Sequence, residues 1–545
     1  DNGRGLSTPE FSGAYGFTTT GNSGGTITLM RSTNGGSSWR PALTALTDQD
    51  FDNPAEIEED TAIYRAVMSG YDTGADPQPT YIITITDNAN KGVVRVTGVE
   101  NGTVATAIVV TALVDGTATS NWREGYWSDF RGWPETVTIH QQRLTFGGST
   151  TFPQTVWFGK TDPDDYTNFT EGTLDTSAFT VVLAGNNPIQ WMLSQDYLLI
   201  GNSGSCGKYG DQGKAVTPTS PNYQEQTRQG AANLPAIIAG DAILYVERGS
   251  RTIREFVFDF QADKYLSPDL SVLSPEITES GIKDVAYQFR PYPILWCVLN
   301  NGDIATLTYQ KDQSVVAWTK QITDGDFESI TIIPNTTEDE VWVTVNRQIE
   351  STDARYVEQF QPQVWGSDDN DAWFVDSGIS YDGVATDTFT GAGHLEAETV
   401  SIYADLLIES PEVVSGGGFT IDNVAERVLV GMAYTSKLET MPIVIDPQDK
   451  AANKKIMSVW FDLYKTGYME YGNGPDSTLI NMNFNNNLDL DNAATAQEFI
   501  TSRVKLKRGT WGWGSMMKAT VFVYSDQPMP LTIRSITPSF NLFGN

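Results

Sequence analysis

Apolar and polar residues alternate along much of this chain with a period of two. That spacing puts one face of a β-strand on a core and the other in solvent. Residues 81–86 read YIITIT and residues 454–464 read KKIMSVWFDLY. No long apolar stripe at helical spacing, bounded by caps, accompanies them, so the pattern predicts a nearly all-β protein. From Thr136 the strands recur in units, each a strand, a short turn and a second strand. The units are TVTIHQQRLTFGG from Thr136, PIQWMLSQDYLLIG from Pro188, PAIIAGDAILYVE from Pro235, IKDVAYQFRPYPILWCVL from Ile282 and SITIIPNTTEDEVWVTV from Ser329. Their starts are spaced by 52, 47, 47 and 47 residues. A period near that length, with about four strands per unit, is the signature of a β-propeller blade. In the fourth unit the strands are expected at 284–288, 294–299, 304–309 and 315–322, with the middle turn at Asn300-Asn301-Gly302-Asp303. Five units end near Gln361, so a sixth blade would come from elsewhere in the chain or from residues upstream of Asp1. Generic consecutive hairpins are the alternative, because all-β chains show strands at regular spacing.

The resulting organisation has three parts. Residues 1–120 are rich in Gly and Thr and form one or two small β-domains. Residues 121–361 form the propeller-like region. After the polar, turn-rich stretch 362–372, residues 362–545 form a C-terminal β-domain with sandwich- or barrel-like sheets. Strands are expected there at 391–404, 428–434, 441–445, 454–464, 504–506, 519–524 and 531–536.

Composition sharpens this picture. Among 545 residues, 35 are basic and 68 acidic, a net charge of −33. A protein that grips nucleic acid by neutralising phosphates needs clustered Lys and Arg, so that class is disfavoured. No apolar run reaches the length of a membrane span. Cys206 and Cys297 are the two cysteines, too few for a disulfide framework or a zinc site, and are expected to be reduced and partly buried. The chain starts at Asp1 without Met or signal peptide, from which we expect residues upstream.

Two resemblances follow from particular residues. The run from Ser32 to Trp39, STNGGSSW, resembles the Asp-box hairpin of sialidases and other propellers, with Asn34 in the Asp position. That motif is a structural turn closed by a Trp and carries no catalysis. The second resemblance begins at Asn121: NWREGYWSDFRGWPETVTIHQQRLTFGGSTTFPQTVWFGK. Five aromatics, Trp122, Tyr126, Trp127, Phe130 and Trp133, precede Pro134, and strands follow, as where a linker docks onto a sheet. The order W-R-E-G-x-W-S-x-x-R-G-x-P, then Q-R-L-x-F-G-G, then P-Q-x-V-W resembles the tail nozzle (tail tubular) proteins of short-tailed bacteriophages. YVERGSRTIREFVFDF from Tyr245, Gly393-His394-Leu395, VSIYAD from Val400, VGMAY from Val430 and PMPLTI from Pro528 extend the likeness over roughly residues 60–545. It lacks the N-terminal segment usual in that family. The resemblance implies a virion structural protein at the tail tip, assembled in the host cytoplasm. It implies a homohexameric tube under the portal and adaptor proteins, beside tail fibres, through which double-stranded DNA passes without sequence-specific binding. The expected mechanism is conduit and gate, and the chain is expected not to be an enzyme. The alternative from another class is a tail-associated carbohydrate-binding protein or depolymerase that recognises the host surface.

Candidate chemistry is sparse, and no catalytic, cofactor or metal residue is assigned. His140 lies in a strand and His394 in a Gly-flanked turn, with no ligand-spaced neighbour and no Gly-x-Ser-x-Gly elbow. Carboxylate pairs able to run glycoside hydrolysis could come from Asp162, Asp164 and Asp165 or from Asp368, Asp369 and Asp371, which read as solvated turns. Asn487, Asp489, Asp491 and Glu498 match positions 1, 3, 5 and 12 of a calcium loop. Asn492 stands where Gly is required, and the expected reading is a polar loop. The basic run 503–508 (RVKLKR) is placed on a strand facing solvent or an acidic neighbour. Trp511-Gly512-Trp513-Gly514 reads as an aromatic loop over a core edge.

Overall fold

The computed structural model describes residues 7–8, 11–20, 26–44, 52–69, 80–85, 92–111, 113, 122, 124–162, 166–442, 453–482, 499–506 and 519–543. These residues fold almost wholly as antiparallel strands, with three 3₁₀ turns as the described helices. Two compact units divide the chain, residues 1–184 with 210–222 and residues 185–209 with 223–545.

In the first unit, five strands pair in the order Arg40–Thr44, Thr26–Ser32, Asp52–Ser69, Phe11–Thr20, Thr80–Ile85. Tyr15, Phe17, Ile27, Leu29, Ala62, Tyr64 and Ala66 form its buried core. The Asp-box-like run is the turn between Thr26–Ser32 and Arg40–Thr44. Asn34 Oδ1 accepts from the Ser32 hydroxyl (2.9 Å) and the Ser38 N–H (2.9 Å), and Trp39 Nε1 donates to Gly36 O (2.9 Å). The Arg65 guanidinium lies 4.0 Å from the centre of the Trp39 ring. Here the motif closes a five-stranded sheet rather than a four-stranded blade. Val93–Asn101 and Val104–Thr111 form a separate two-stranded hairpin.

Five consecutive sheets start where the repeat predicts them. The first, in the first unit, is Thr136–His140, Arg143–Gly147, Thr155–Phe158 and Phe179–Val182. The second is Ile189–Ser194, Leu198–Asn202, Cys206–Tyr209 and Tyr223–Thr227, and the third Ile237–Ala239, Ala242–Val246, Ile253–Asp259 and Lys264–Leu266. The fourth is Ile282–Gln288, Ile294–Leu299, Ile304–Gln310 and Val315–Gln321. Each is a simple meander, every strand pairing with its sequence neighbour, as in a propeller blade. The fifth departs from the expectation of four strands. It has three: Asp326–Ile333, Glu340–Ile349 and Thr352–Phe360.

Within the second unit these sheets pack face to face. Trp191, Leu199, Ile243, Tyr245 and Phe256 join the second and third sheets; Leu244, Val246, Leu295, Cys297 and Leu307 join the third and fourth; Trp296, Val298, Phe327, Val341 and Val343 join the fourth and fifth. Leu198–Asn202, Ala242–Val246 and Ile294–Leu299 are buried throughout. A strand covered on both faces needs apolar residues at successive positions, so these read as runs (LLI, AILYV, ILWCVL) rather than alternations.

The C-terminal region holds three sheets. Asp376–Thr390, Gly418–Met432, Thr399–Ala404 and Leu407–Val413 pair in that order. So do Ser436–Glu439, Phe522–Ser525, Glu470–Gly472 and Ile480–Asn481, and then Arg503–Leu506, Asn453–Leu463 and Ile533–Phe543. The strand expected from residue 391 begins only at Thr399, because a 3₁₀ turn, Gly393–Leu395, tucks Leu395 into the core. Of the strand expected at 441–445, Met441 and Pro442 are not extended into a sheet and the rest lies outside the described residues.

Arg347 links the fifth repeat sheet to the strand Asp376–Thr390. It is 1% exposed. Its guanidinium donates to Glu358 Oε1 and Oε2 (2.7 and 2.6 Å), Asp376 Oδ1 (2.8 Å), the Thr323 hydroxyl (2.8 Å) and Asp324 O (2.6 Å). Burial alone would lower its pKa, but bonds and charge from Glu358 and Asp376 outweigh burial and raise it.

Candidate interaction surfaces

The aromatic block at 122–133 docks in part on the first repeat sheet. Trp127 meets Phe146, Trp157 and Phe169 edge-on, at centroid distances of 4.9, 5.4 and 5.3 Å. Tyr126 packs on Phe152 and Trp157. Such T-shaped contacts set the positive edge of one ring against the negative face of another. Arg143, from the Q-R-L-x-F-G-G run, occupies the buried phase of its strand, with Thr145 and Gly147, and is 2% exposed. Its guanidinium donates to Gly159 O (2.7 Å), Ser177 O (2.8 Å) and Asp175 O, so it fixes the loops behind the sheet. Burial lowers its pKa, against the opposing charge of Asp175.

The remaining aromatics face solvent. Trp122 is 77%, Phe130 83% and Trp133 60% exposed, and Val137 and Ile139 on the edge strand Thr136–His140 are 57% and 61% exposed. Arg131 pairs with Glu124 (2.8 Å) and Trp133 Nε1 donates to Asp129 (3.1 Å), which fixes the loop that presents them.

A second surface lies on the outer face of the sheet Arg503–Leu506, Asn453–Leu463, Ile533–Phe543. Register sets Lys505 opposite Trp460 and Arg503 opposite Asp462. Arg503 Cζ and Lys505 Nζ lie 5.2 and 4.9 Å from the Trp460 ring centre, and Arg534 Cζ lies 4.3 Å from that of Tyr464. Elsewhere Arg254, Lys311, Lys320, Arg355 and Arg427 sit against carboxylates. Among the described residues, no carboxylate lies within ion-pair distance of Arg503, Lys505 or Arg534. The expected basic strand is therefore a basic and aromatic face with one acid, Asp462, on it. Residues 507–508 of the run lie outside the described residues.

The other candidates fall as follows. His140 is 1% exposed, and burial lowers its pKa to about 4. His394 Nε2 is 2.9 Å from Ser377 O and its ring meets Tyr356 edge-on. Asp368 accepts from Asn370 N (3.0 Å), which, with the Asn370 side chain and Arg427, holds its carboxyl below the usual range. Arg427 also pairs with Asp371 and Asp382, and Lys465 with Asp369 (3.3 Å). Asp368, held ionised in this way, lacks the raised pKa of a glycosidase acid. Asp162 is described, whereas Asp164, Asp165, the calcium-like loop from Asn487 to Glu498 and Trp511–Gly514 lie outside the described residues. Among the described residues no group of three His, Cys, Asp or Glu is placed to hold a metal ion, and no helix is long and apolar enough to cross a membrane. Cys206 and Cys297 are buried and unbridged. Burial raises both thiols, Cys206 to about 12. An open cleft of about 300 Å³ separates Glu225–Arg228 from Lys264–Ser267, bridged by the Tyr265 N–H donating to Gln226 (3.0 Å).

No protein-family model and no curated protein matches the sequence. Among solved structures, the chain is similar to an exo-β-1,3-galactanase from Phanerochaete chrysosporium with galactose, at 9% identity over 74% of this chain and 95% of that one, TM-score 0.23. A variant of the same enzyme with β-1,3-galactotriose gives 11% over 72% and 95%, TM-score 0.22. A luciferin-regenerating enzyme gives 13% over 37% of this chain and 80% of that one, TM-score 0.18. The expectation that the chain is not an enzyme is corrected here, because the solved structures similar to it are those of enzymes, and it is withdrawn. At these scores the likeness carries no further argument.

Proposed function

We propose that this chain is a tail protein of a short-tailed phage, of the nozzle class, forming part of the conduit through which DNA leaves the virion. The ordered run from Trp122 to Trp157 carries this reading. Its residues serve one local structure, in which Trp127 and Trp157 pack together, Arg143 holds the loops behind, and Trp122, Phe130 and Trp133 stay outside for a neighbour. The net charge of −33 fits a wall along which DNA slides. At ~0.1 M salt, screening confines repulsion to about 10 Å, the range that matters in a narrow tube. Mass photometry of the purified protein and negative-stain microscopy of the virion test this. A sixfold tube at the tail tip supports it, and a trimeric spike or peripheral appendage overturns it.

The second reading is a tail-associated protein that binds or cleaves host-surface carbohydrate. The outer face with Trp460, Tyr464, Arg503, Lys505 and Arg534 favours it, since aromatic rings stack on sugars and cations pair with acidic substituents. A glycan array and a polysaccharide-degradation assay separate the two. Binding lost on Trp460→Ala with Lys505→Ala would support carbohydrate recognition.

A further inference from the structure

The sheet Arg503–Leu506, Asn453–Leu463, Ile533–Phe543 has two chemically unlike faces. Val459, Phe461 and Leu463 point into a core, with Val504, Leu506, Ile533 and Ile536 packed beside them. The residues between these make the outer face, and register arranges them in rows. Lys505, Trp460 and Thr537 form one row; Arg503, Asp462 and Ser535 form the next. The register shift at Asp462/Leu463 gives the strand Ile533–Phe543 one extra residue. Ile533 and Ile536 therefore both stay inside, while Arg534 and Ser535 are both exposed. That bulge brings Arg534 onto Tyr464.

Each end of the face thus carries cations resting on a ring: Arg503 and Lys505 on Trp460, Arg534 on Tyr464. Trp460 and Tyr464 lie four residues apart, roughly 13 Å along an extended strand. A cation held on a ring keeps its N–H donors and has lost part of its freedom, so it takes up a carboxylate at a small further entropic cost. Among the described residues no carboxylate fills that role, in a chain of net charge −33. The middle of the face chooses among anionic partners. It is Asp462, flanked by Arg503 and Ser535. A protein interface is depleted in charge at its centre, where apolar and aromatic groups sit. A nucleic-acid strand carries a phosphate on every nucleotide, so one would fall against Asp462 within a strongly acidic chain. A glycan with carboxylates on some sugars and only hydroxyls on others meets neither obstacle. Its hydroxyls donate to Asp462, Ser535 and Thr537, and its carboxylates reach Arg503 and Lys505 at one end and Arg534 at the other. We infer that this face binds an acidic oligosaccharide in which neutral sugars separate the carboxylated ones. This rests on the carbohydrate reading above and names its class of sugar.

Biolayer interferometry with the full chain tests it, on immobilised hyaluronan (a carboxylate on alternate sugars), neutral dextran, oligothymidylate and polyglutamate. Wild type is compared with Arg503→Gln/Lys505→Gln and with Asp462→Asn. Wild type should bind hyaluronan at least about tenfold tighter than the other three. That binding should weaken severalfold from about 50 to about 200 mM salt. Arg503→Gln/Lys505→Gln should weaken it at least about tenfold. Asp462→Asn should narrow the gap between hyaluronan and oligothymidylate about fivefold, because phosphates no longer meet an acid. Arg503 and Lys505 are exposed and Asp462 half-buried, so both variants should melt like wild type, which separates lost binding from misfolding. A wild type that prefers oligothymidylate or polyglutamate, or binds dextran as well as hyaluronan, would overturn the site. Hyaluronan binding unchanged in Arg503→Gln/Lys505→Gln would overturn it too, and leave the carbohydrate reading standing with its site elsewhere. Neutral hits alone on a glycan array would remove the acidic class and keep that reading; no glycan bound at all would remove both.

Discussion

Replacing Arg347 with Met tests the joint between the repeat sheets and the C-terminal region. The substitution keeps an unbranched apolar stem and deletes six donated hydrogen bonds, the sixth a longer one to Asp376 Oδ2 (3.3 Å), leaving Glu358 and Asp376, 19% and 16% exposed, without their shared cation. Breaking a buried pair from one side costs about 3–5 kcal/mol, because the surviving charge stays desolvated. The partial exposure of both carboxylates places this case at the lower end, about 3 kcal/mol. At roughly 2–4 °C per kcal/mol for a large unit, the corresponding transition should fall by about 6–12 °C. Calorimetry and urea unfolding, followed by the fluorescence of Trp342 and Trp373 against single-Trp controls, would measure it. Adding Glu358→Gln and Asp376→Asn should restore more than half of the loss, since neutral amides tolerate burial far better than orphaned carboxylates. A loss below about 1 kcal/mol for Arg347→Met, or no recovery in the triple variant, would refute the reasoning.

His140 gives a pH signature. Its folded pKa of about 4 lies below the ordinary 6.5, so between those values the unfolded chain binds a proton that the folded chain does not. Stability should therefore fall as pH drops from 6.5 towards 4, by up to about 1.4 kcal/mol per unit and about 3 kcal/mol in all, and His140→Phe should flatten that slope in urea titrations. Trp127→Ala should cost about 3 kcal/mol and speed proteolysis before residue 136, because it removes the rings that clamp the block to the first sheet. Both cysteines should resist alkylation in the native protein and react only on unfolding, as a thiol count with and without denaturant would show.

Much of the architecture was legible in the sequence. The spacing of 47 to 52 residues marked the start of each repeat sheet to within three residues, because a meander keeps partners adjacent and turns local. Pairing between distant strands was not legible. Strand Thr80–Ile85 joins Phe11–Thr20, and a two-residue period reports which face is buried but not which strand lies alongside. Arg347 and Arg143 were missed as organisers, although for Arg347 a signal existed. In Glu340–Ile349 the buried positions are Val341, Val343, Val345, Arg347 and Ile349, so a charge in the apolar phase announced a buried partner. Its partners, Glu358, Asp376 and Thr323, come from three other segments and form no motif. The sequence reads the basic run 503–508 as a strand facing solvent or an acidic neighbour. That Trp460 would lie beside its cations follows only from register.

The meander of the repeat sheets has a consequence for the order of folding. Each sheet is complete once its own last strand has been made, since no strand in it waits for a distant partner. On the ribosome the repeats can close one after another, the fast regime for local contacts. The C-terminal sheets are different. Ser436–Glu439 pairs with Phe522–Ser525, and Asn453–Leu463 with Ile533–Phe543. Both early strands emerge long before their partners and present unpaired edges meanwhile. Synthesis thus ends with its slowest step, and aggregation-prone intermediates should expose the strands after residue 436 rather than the repeats.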